Sequence, residues 1–182
     1  PVINGVVRSI ENFSKGLREL GEEVFIITPN YRGYRDKESN VYRWKYSMPL
    51  KKGYYLQFPV SKKIWDILKE ADIIHTQHPF VSGQIGWIEG HLHQIPLVFT
   101  YHTMYEDYSY YFPIIGGEKF FKKGLMKFVL MYCNKCDCII APSEHIKKTL
   151  IERGVKARIE VVPSGVDLKQ FENADGSKIR KK

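Results

Sequence analysis

Residues 138–162 read Cys138-Ile139-Ile140-Ala141-Pro142-Ser143-Glu144-His145-Ile146-Lys147-Lys148-Thr149-Leu150-Ile151-Glu152-Arg153-Gly154-Val155-Lys156-Ala157-Arg158-Ile159-Glu160-Val161-Val162. Cys138 to Ala141 is a short apolar run, as expected of a buried strand. Ser143 to Arg153 has the pattern of a helix, with Ser143 as N-cap and Gly154 as its stop. Ile159 to Val162 is a second apolar run, closed by Pro163. This is strand, helix, strand, and the pattern continues upstream. Leu97–Tyr101 reads as a buried strand and residues 117–135 as a long helix. Asp72–His75 starts a strand, followed by a helix over 80–93. Residues 62–70 read as a helix. Val41–Tyr46 and Tyr55–Val60 read as short strands, and Val24–Thr28 as a buried one ending at Pro29. At the front, Val6, Ile10, Phe13, Leu17 and Leu20 give a helix over 5–20, stopped by Gly21. Such alternation predicts an α/β fold, a doubly wound and mostly parallel sheet. Ligands then bind beyond the C-terminal strand ends: Thr28-Pro29, His75 to Pro79, Tyr101 to Asp107, Ala141-Pro142-Ser143 and Pro163 to Asp167. A strand normally precedes the first helix of such a sheet. We therefore expect roughly a dozen further residues ahead of Pro1.

The 182 residues suit one α/β domain or two very small ones, and 43% hydrophobic with 14% aromatic residues argues against wholesale disorder. No apolar run approaches the roughly 18 residues of a membrane span. Three cysteines are too few for a secreted disulfide framework, which points to a reducing compartment. The net charge of +8 is localised. Residues 32–63 carry nine basic residues against Asp36 and Glu38, and residues 117–135 carry five lysines against Glu118. Residues 178–182 add four more positive charges. Concentrated positive charge suits an anionic partner, whether lipid headgroup, nucleic acid or phosphorylated substrate, unless it is merely a solvated face. No helix-turn-helix, RRM or zinc-finger pattern supports nucleic-acid binding, and none is expected.

Several strings carry candidate chemistry. Asn4-Gly5-Val6 opens the first helix, where backbone N–H groups can approach a phosphate, although an ordinary turn looks the same. His75-Thr76-Gln77-His78-Pro79 and His102-Thr103-Met104-Tyr105-Glu106-Asp107-Tyr108 follow neighbouring strands and predict a polar cleft. Imidazoles there could bond a hydroxyl or phosphate, move a proton, or serve the structure alone. No HExxH or comparable spacing predicts zinc, and no metal is expected. Cys133, Cys136 and Cys138 lack the second pair of a four-ligand site and read as buried packing residues. Glu106 and Asp107 are adjacent, which does not suit carboxylates on opposite sides of a scissile bond. In the helix over 117–135, Phe120, Phe121, Leu125, Phe128, Val129 and Tyr132 fall on one face. Lys119, Lys122, Lys123 and Lys127 fall on the other, with Met126 and Leu130 among them. Two readings stand. Met126 and Leu130 dip into a membrane surface beside the lysines, or they touch a neighbouring element.

Pro1 to Val7, His75 to Phe80, Tyr101 to Tyr108, Ala141-Pro142-Ser143 and Val162 to Asp167, in this order, resemble the N-terminal domain of group 1 (family 4) retaining glycosyltransferases of the GT-B fold. The HTxHP and YHTMYEDY strings are most similar to the branch that glucosylates diacylglycerol. The resemblance covers nearly the whole chain and implies a Rossmann-like acceptor-binding domain over 1–168. Residues 169–182 would then be a linker or the start of a donor-binding domain, whose Glu-x7-Glu motif this chain lacks. It implies donor-phosphate contact at Gly5, a catalytic role for His102 against sugar or acceptor, and an acceptor pocket of Asn4, His75, His78, Pro79, Tyr105, Glu106 and Asp107. It also implies an interdomain hinge at Pro163, Gly165 and Asp167. No cofactor is expected in this domain, and a UDP- or GDP-hexose is the expected donor of the whole enzyme.

The resulting expectation is the acceptor half of a hexosyltransferase, inactive without its C-terminal domain. Its acceptor would be a membrane lipid such as diacylglycerol, and its place cytoplasmic, peripheral on an anionic inner membrane face. The competing reading is a non-enzymatic membrane- or ligand-binding Rossmann-like module.

Overall fold

The structure is a computed structural model that describes residues 4–31, 33–36, 38–49, 55–102, 105, 118–166, 168 and 172. Glu106, Asp107 and Asp167 lie outside the described residues, as does the basic stretch 178–182. The chain falls into two compact units. One spans Phe25–Pro163, and the other combines Val2–Val24 with Ser164–Lys182.

In the larger unit, strands β5 (Ile74–Thr76), β6 (Leu97–Thr100), β7 (Cys138–Ala141) and β8 (Arg158–Val161) form a four-stranded sheet in sequence order, parallel throughout. Helices α3 (Val81–His93), α4 (Glu118–Cys133) and α5 (Glu144–Glu152) connect them. This is the Rossmann-like α/β alternation expected from the sequence. Ser143 caps α5, its Oγ accepting from Ile146 N, and Gly154 follows at φ +89°, a left-handed turn that favours glycine. A separate pair, β1 (Ile26–Thr28) and β2 (Val41–Arg43), is also parallel. Helix α2 (Lys62–Glu70) spans the residues expected.

The expected strand Val41–Tyr46 is instead two. Trp44 N bonds Thr28 O at 3.1 Å, and the Trp44 side chain turns into the core beside Trp65. The chain restarts as β3 (Tyr46–Pro49), which pairs antiparallel with β4 (Tyr55–Phe58). A run of alternating large residues concealed this corner, because burying one indole outweighs continuing a ladder.

Phe99, Val129, Cys133, Ile139 and Ala141 lie at the centre of the core. Helix α3 approaches the sheet through Gly86 and Gly90, and the loop after β5 through Gly83. A Cβ at Gly86 would sit 2.8 Å from Thr76 Cγ2, and one at Gly90 2.9 Å from Ile95 O. Helix α4 is rotated from the face drawn on its sequence. Val129, Tyr132 and Cys133 are its deepest residues, and Met126 and Leu130 pack against the core with Leu125. Phe128 and Met131 are exposed instead. Of the two readings of Met126 and Leu130, contact with a neighbouring element is the one the packing supports. Among the lysines, Lys123 and Lys127 are exposed and Lys122 is half-buried.

Gly124, on the solvent side of α4, has nothing among the described residues within 4 Å of an added Cβ. Gly124→Ala should therefore stabilise the chain by about 1 kcal/mol through helix propensity alone. A urea midpoint unchanged or lowered would contradict this.

In the smaller unit, α1 (Gly5–Glu19) is capped by Asn4, whose side chain accepts from Val7 N at 2.9 Å. Its stripe is shorter than expected, since Leu20 is the C-cap and is exposed. Asn12 Nδ2 donates to Gly165 O at 2.6 Å, which ties the segment after Pro163 to this helix.

Candidate functional site

Beyond the C-terminal ends of β5 and β6, two histidine-bearing loops are bonded to each other. His75 lies in β5, level with Val98 of β6, and its Nε2 is 2.7 Å from Thr100 Oγ1. One step further along, His102 Nε2 is 2.6 Å from Gln77 Oε1. An amide oxygen only accepts, so Nε2 carries the proton and the neutral ring keeps its lone pair on Nδ1. His102 is thereby a hydrogen-bond acceptor of fixed tautomer at a strand end, suited to receiving a hydroxyl proton donor.

Burial holds all three imidazoles below their ordinary pKa. For His75 and His78 desolvation is the larger cause and proximity of His102 the smaller, and both are lowered to about 4. His102 is lowered by burial as well. At neutral pH the cluster therefore supplies neutral donors and acceptors rather than cations. That suits hydroxyl recognition better than phosphate binding. His78 Nδ1 is buried with no hydrogen-bond partner among the described residues.

An aromatic wall backs these loops. Tyr105, expected to line a pocket, is 2% exposed and packs edge-on against Tyr101 and Phe80. Pro79 is fully buried, and its carbonyl accepts from Gln84 Nε2 at 2.8 Å. Both residues hold the loop from behind. Below them Tyr132 OH donates to Gly83 O at 3.0 Å and lies 2.9 Å from Thr76 Oγ1. A groove of about 480 Å³ lined by Trp87, His91, Gln94, Lys135 and Asp137 lies at the other end of β6, near Leu97.

The structure thus brings His75, His78 and His102 together, with Pro79 and Tyr105 as support. Asn4, Gly5 and Gly165 belong to the smaller unit, and Pro163 is the last residue of the larger one. Gln77 and Thr100 were passed over in the sequence reading. The signal available for both was position, each lying one or two residues from a histidine at a strand end. Among the described residues no three His, Cys, Asp or Glu side chains are grouped to hold a metal ion. Cys133 and Cys136 are buried and Cys138 half-buried, all as free thiols. No helix among the described residues is long and apolar enough to cross a membrane.

Residues 3–170 match the profile of Glycosyltransferase Family 4. The chain belongs to that family. Two alpha-monoglucosyldiacylglycerol synthases are similar to this family-4 chain over nearly its whole length. The protein from Acholeplasma laidlawii is 30% identical across 94% of the chain, and that from Streptococcus pneumoniae 33% across 96%. The sulfoquinovosyl transferase SQD2 of Arabidopsis thaliana is 25% identical across 93%. The chain spans 45% and 40% of the lengths of the two synthases, and so matches part of each.

Proposed function

We propose that this chain is the acceptor-binding half of a retaining glycosyltransferase. The whole enzyme would move a hexose from a UDP- or GDP-sugar to a membrane lipid such as diacylglycerol, and a C-terminal donor domain of the GT-B type would complete it. The observation that carries this reading is the similarity of nearly the whole chain to two monoglucosyldiacylglycerol synthases. The neutral imidazole cluster at the strand ends agrees with it, because a lipid acceptor is recognised and activated through a hydroxyl. In this reading His102 Nδ1 accepts from a hydroxyl of sugar or acceptor, while Gln77 fixes the tautomer. Charge on the departing diphosphate is met elsewhere, at Gly5 in the first turn of α1 and by the donor domain. The basic segment 32–63 and the α4 lysines, Lys119, Lys122, Lys123 and Lys127, would draw the enzyme to an anionic cytoplasmic membrane face.

In the enzyme carrying its donor domain, His102→Ala should lower kcat about tenfold or more, the usual scale for losing a hydrogen-bonding or proton-transfer group in the transition state. Turnover would be followed by glycolipid formed on diacylglycerol-containing vesicles. Undiminished turnover would remove His102 from the mechanism. Gln77→Glu should instead shift the acid limb of the pH profile upward, since a carboxylate at the same place favours the imidazolium.

A further inference from the structure

The β3–β4 hairpin is built inside out. Its pairs are Tyr46 with Phe58, Ser47 with Gln57 and Met48 with Leu56, so Tyr46, Met48 and Phe58 share one face, and Ser47 and Gln57 the other. A hairpin covering a core normally turns its apolar face inward. Here the polar face is the covered one. Gln57 is 3% exposed, and with its amide oriented by its neighbours its oxygen accepts from Trp44 Nε1 and Ser82 N, at 3.2 and 3.3 Å. Ser47 Oγ donates to Asn30 O at 2.6 Å, and Tyr55 packs on Tyr31. The opposite face leaves Tyr46 51%, Met48 48% and Phe58 45% exposed, and Val60 just beyond 53% exposed.

These inner bonds fix the register. A slip of one residue would bury Tyr46 and Phe58 but would strand Gln57 and Ser47, so the apolar face is held outward by the polar one. Lysines flank it. Lys45 Nζ lies 5.3 Å from the Tyr46 ring centroid, and the exposed Lys62 and Lys63 follow the end of β4, Lys62 in an exposed ion pair with Asp66 at 2.8 Å and Lys63 4.7 Å from the Tyr42 ring centroid. An aromatic, methionine and aliphatic surface bordered by lysines matches the boundary of an anionic bilayer. There apolar tips enter the acyl region, tyrosine sits at the headgroups and ammonium groups meet lipid phosphates. A second copy of the same face would bring lysines against lysines, which disfavours self-association.

We propose that the outer face of this hairpin, Tyr46, Met48 and Phe58 with Val60 and Lys45, is the element by which the chain inserts into an anionic membrane surface. This rests on the membrane reading above but assigns it to a surface that the α4 lysines do not include. The probe is vesicles of phosphatidylcholine with and without phosphatidylglycerol, followed by co-sedimentation of the full chain. The triple variant Tyr46→Ser, Met48→Ser, Phe58→Ser should bind phosphatidylglycerol vesicles about tenfold more weakly or worse. The control Ile88→Ser, Leu92→Ser, which removes exposed apolar side chains from α3, should stay within about twofold of the parent. A second measurement does not depend on the triple variant's folding. The added indole of F58W should show blue-shifted emission and be quenched by brominated lipid only with anionic vesicles.

If the parent chain ignores phosphatidylglycerol vesicles, both the membrane reading and the hairpin assignment fall. If the parent binds but the triple variant binds equally and the F58W indole is not quenched, the hairpin assignment alone is overturned. Concentration-dependent self-association without vesicles, abolished in the triple variant, would also overturn it by making the face a contact between copies.

Discussion

Gly83→Ala should destabilise the protein by about 3 kcal/mol, the upper range for overpacking a close-packed contact. Alanine is the better helix former, and on an open helix face the change would stabilise, as it should at Gly124. At Gly83 the new methyl would overlap the backbone carbonyl of His78 and come within 3.0 Å of Tyr132 OH. Neither neighbour can yield cheaply. The His78 carbonyl belongs to a loop whose next residue, Pro79, is fully buried, and Tyr132 OH is held by Gly83 O and Thr76. Helix α3 must therefore lift from the loop that carries His78. Denaturant titrations of Gly83→Ala and Gly124→Ala, side by side, give opposite signs if the packing is as described. Equal shifts would mean that the loop between β5 and α3 gives way freely. Under the proposed function the same displacement should weaken acceptor binding, because Gln77, which bonds His102, is the residue before His78.

Elements with one dominant signal were legible in the sequence. The apolar runs 97–101 and 138–141, and the Ser143 cap and Gly154 stop around α5, appear within one residue of their expected places. What escaped notice depended on a partner distant in sequence. Three glycines in α3 look like helix-weakening accidents until Thr76, Ile95 and the His78 carbonyl lie against them. The rotation of α4 could not be chosen from its own residues. Its apolar positions nearly encircle the helix, and only the sheet decides that Met126 rather than Met131 is covered. The hairpin is the strongest case. The strand expected over Val41–Tyr46 stops short of Ser47 and Met48, and alternation alone would turn Tyr46 and Met48 inward, whereas two hydrogen-bonded polar side chains take the covered face instead.

The candidate site was legible to the same depth. Histidines directly after buried strands could be selected from sequence, since parallel topology sends neighbouring strand ends to one place. Which atoms they offer could not. The Gln77–His102 bond that sets the tautomer joins residues 25 apart in the chain. The low pKa values depend chiefly on burial, with His102 a smaller cause for His75 and His78, and burial is a property of the folded chain rather than of the local string. In the proposed transferase, that neutrality would separate two jobs: uncharged imidazoles would serve the hydroxyl side, and phosphate charge would be met by backbone amides and cations from other segments.

That neutrality predicts a large acid destabilisation. His75 and His78 are held near 4 in the folded chain against an ordinary 6.5, chiefly by desolvation. As pH falls below about 6.5 the unfolded chain takes up these protons and the folded chain does not, so stability declines. The decline ends near pH 4, where the folded state is protonated too. Each imidazole contributes on the order of 3 kcal/mol to that loss. His78 provides the clean test, because its buried Nδ1 bonds none of the described residues. Replacing it by an apolar side chain of similar size should cost little at pH 7.5. Urea titrations of His78→Leu and the parent should therefore coincide or slightly favour the variant at pH 7.5, then diverge between pH 6.5 and 4 as only the parent loses the His78 share. Curves that stay parallel over that window would mean that His78 titrates alike in the folded and unfolded chain. The strand-end cluster would then be open to water, and the role given to neutral imidazoles in receiving an acceptor hydroxyl would lose its physical basis.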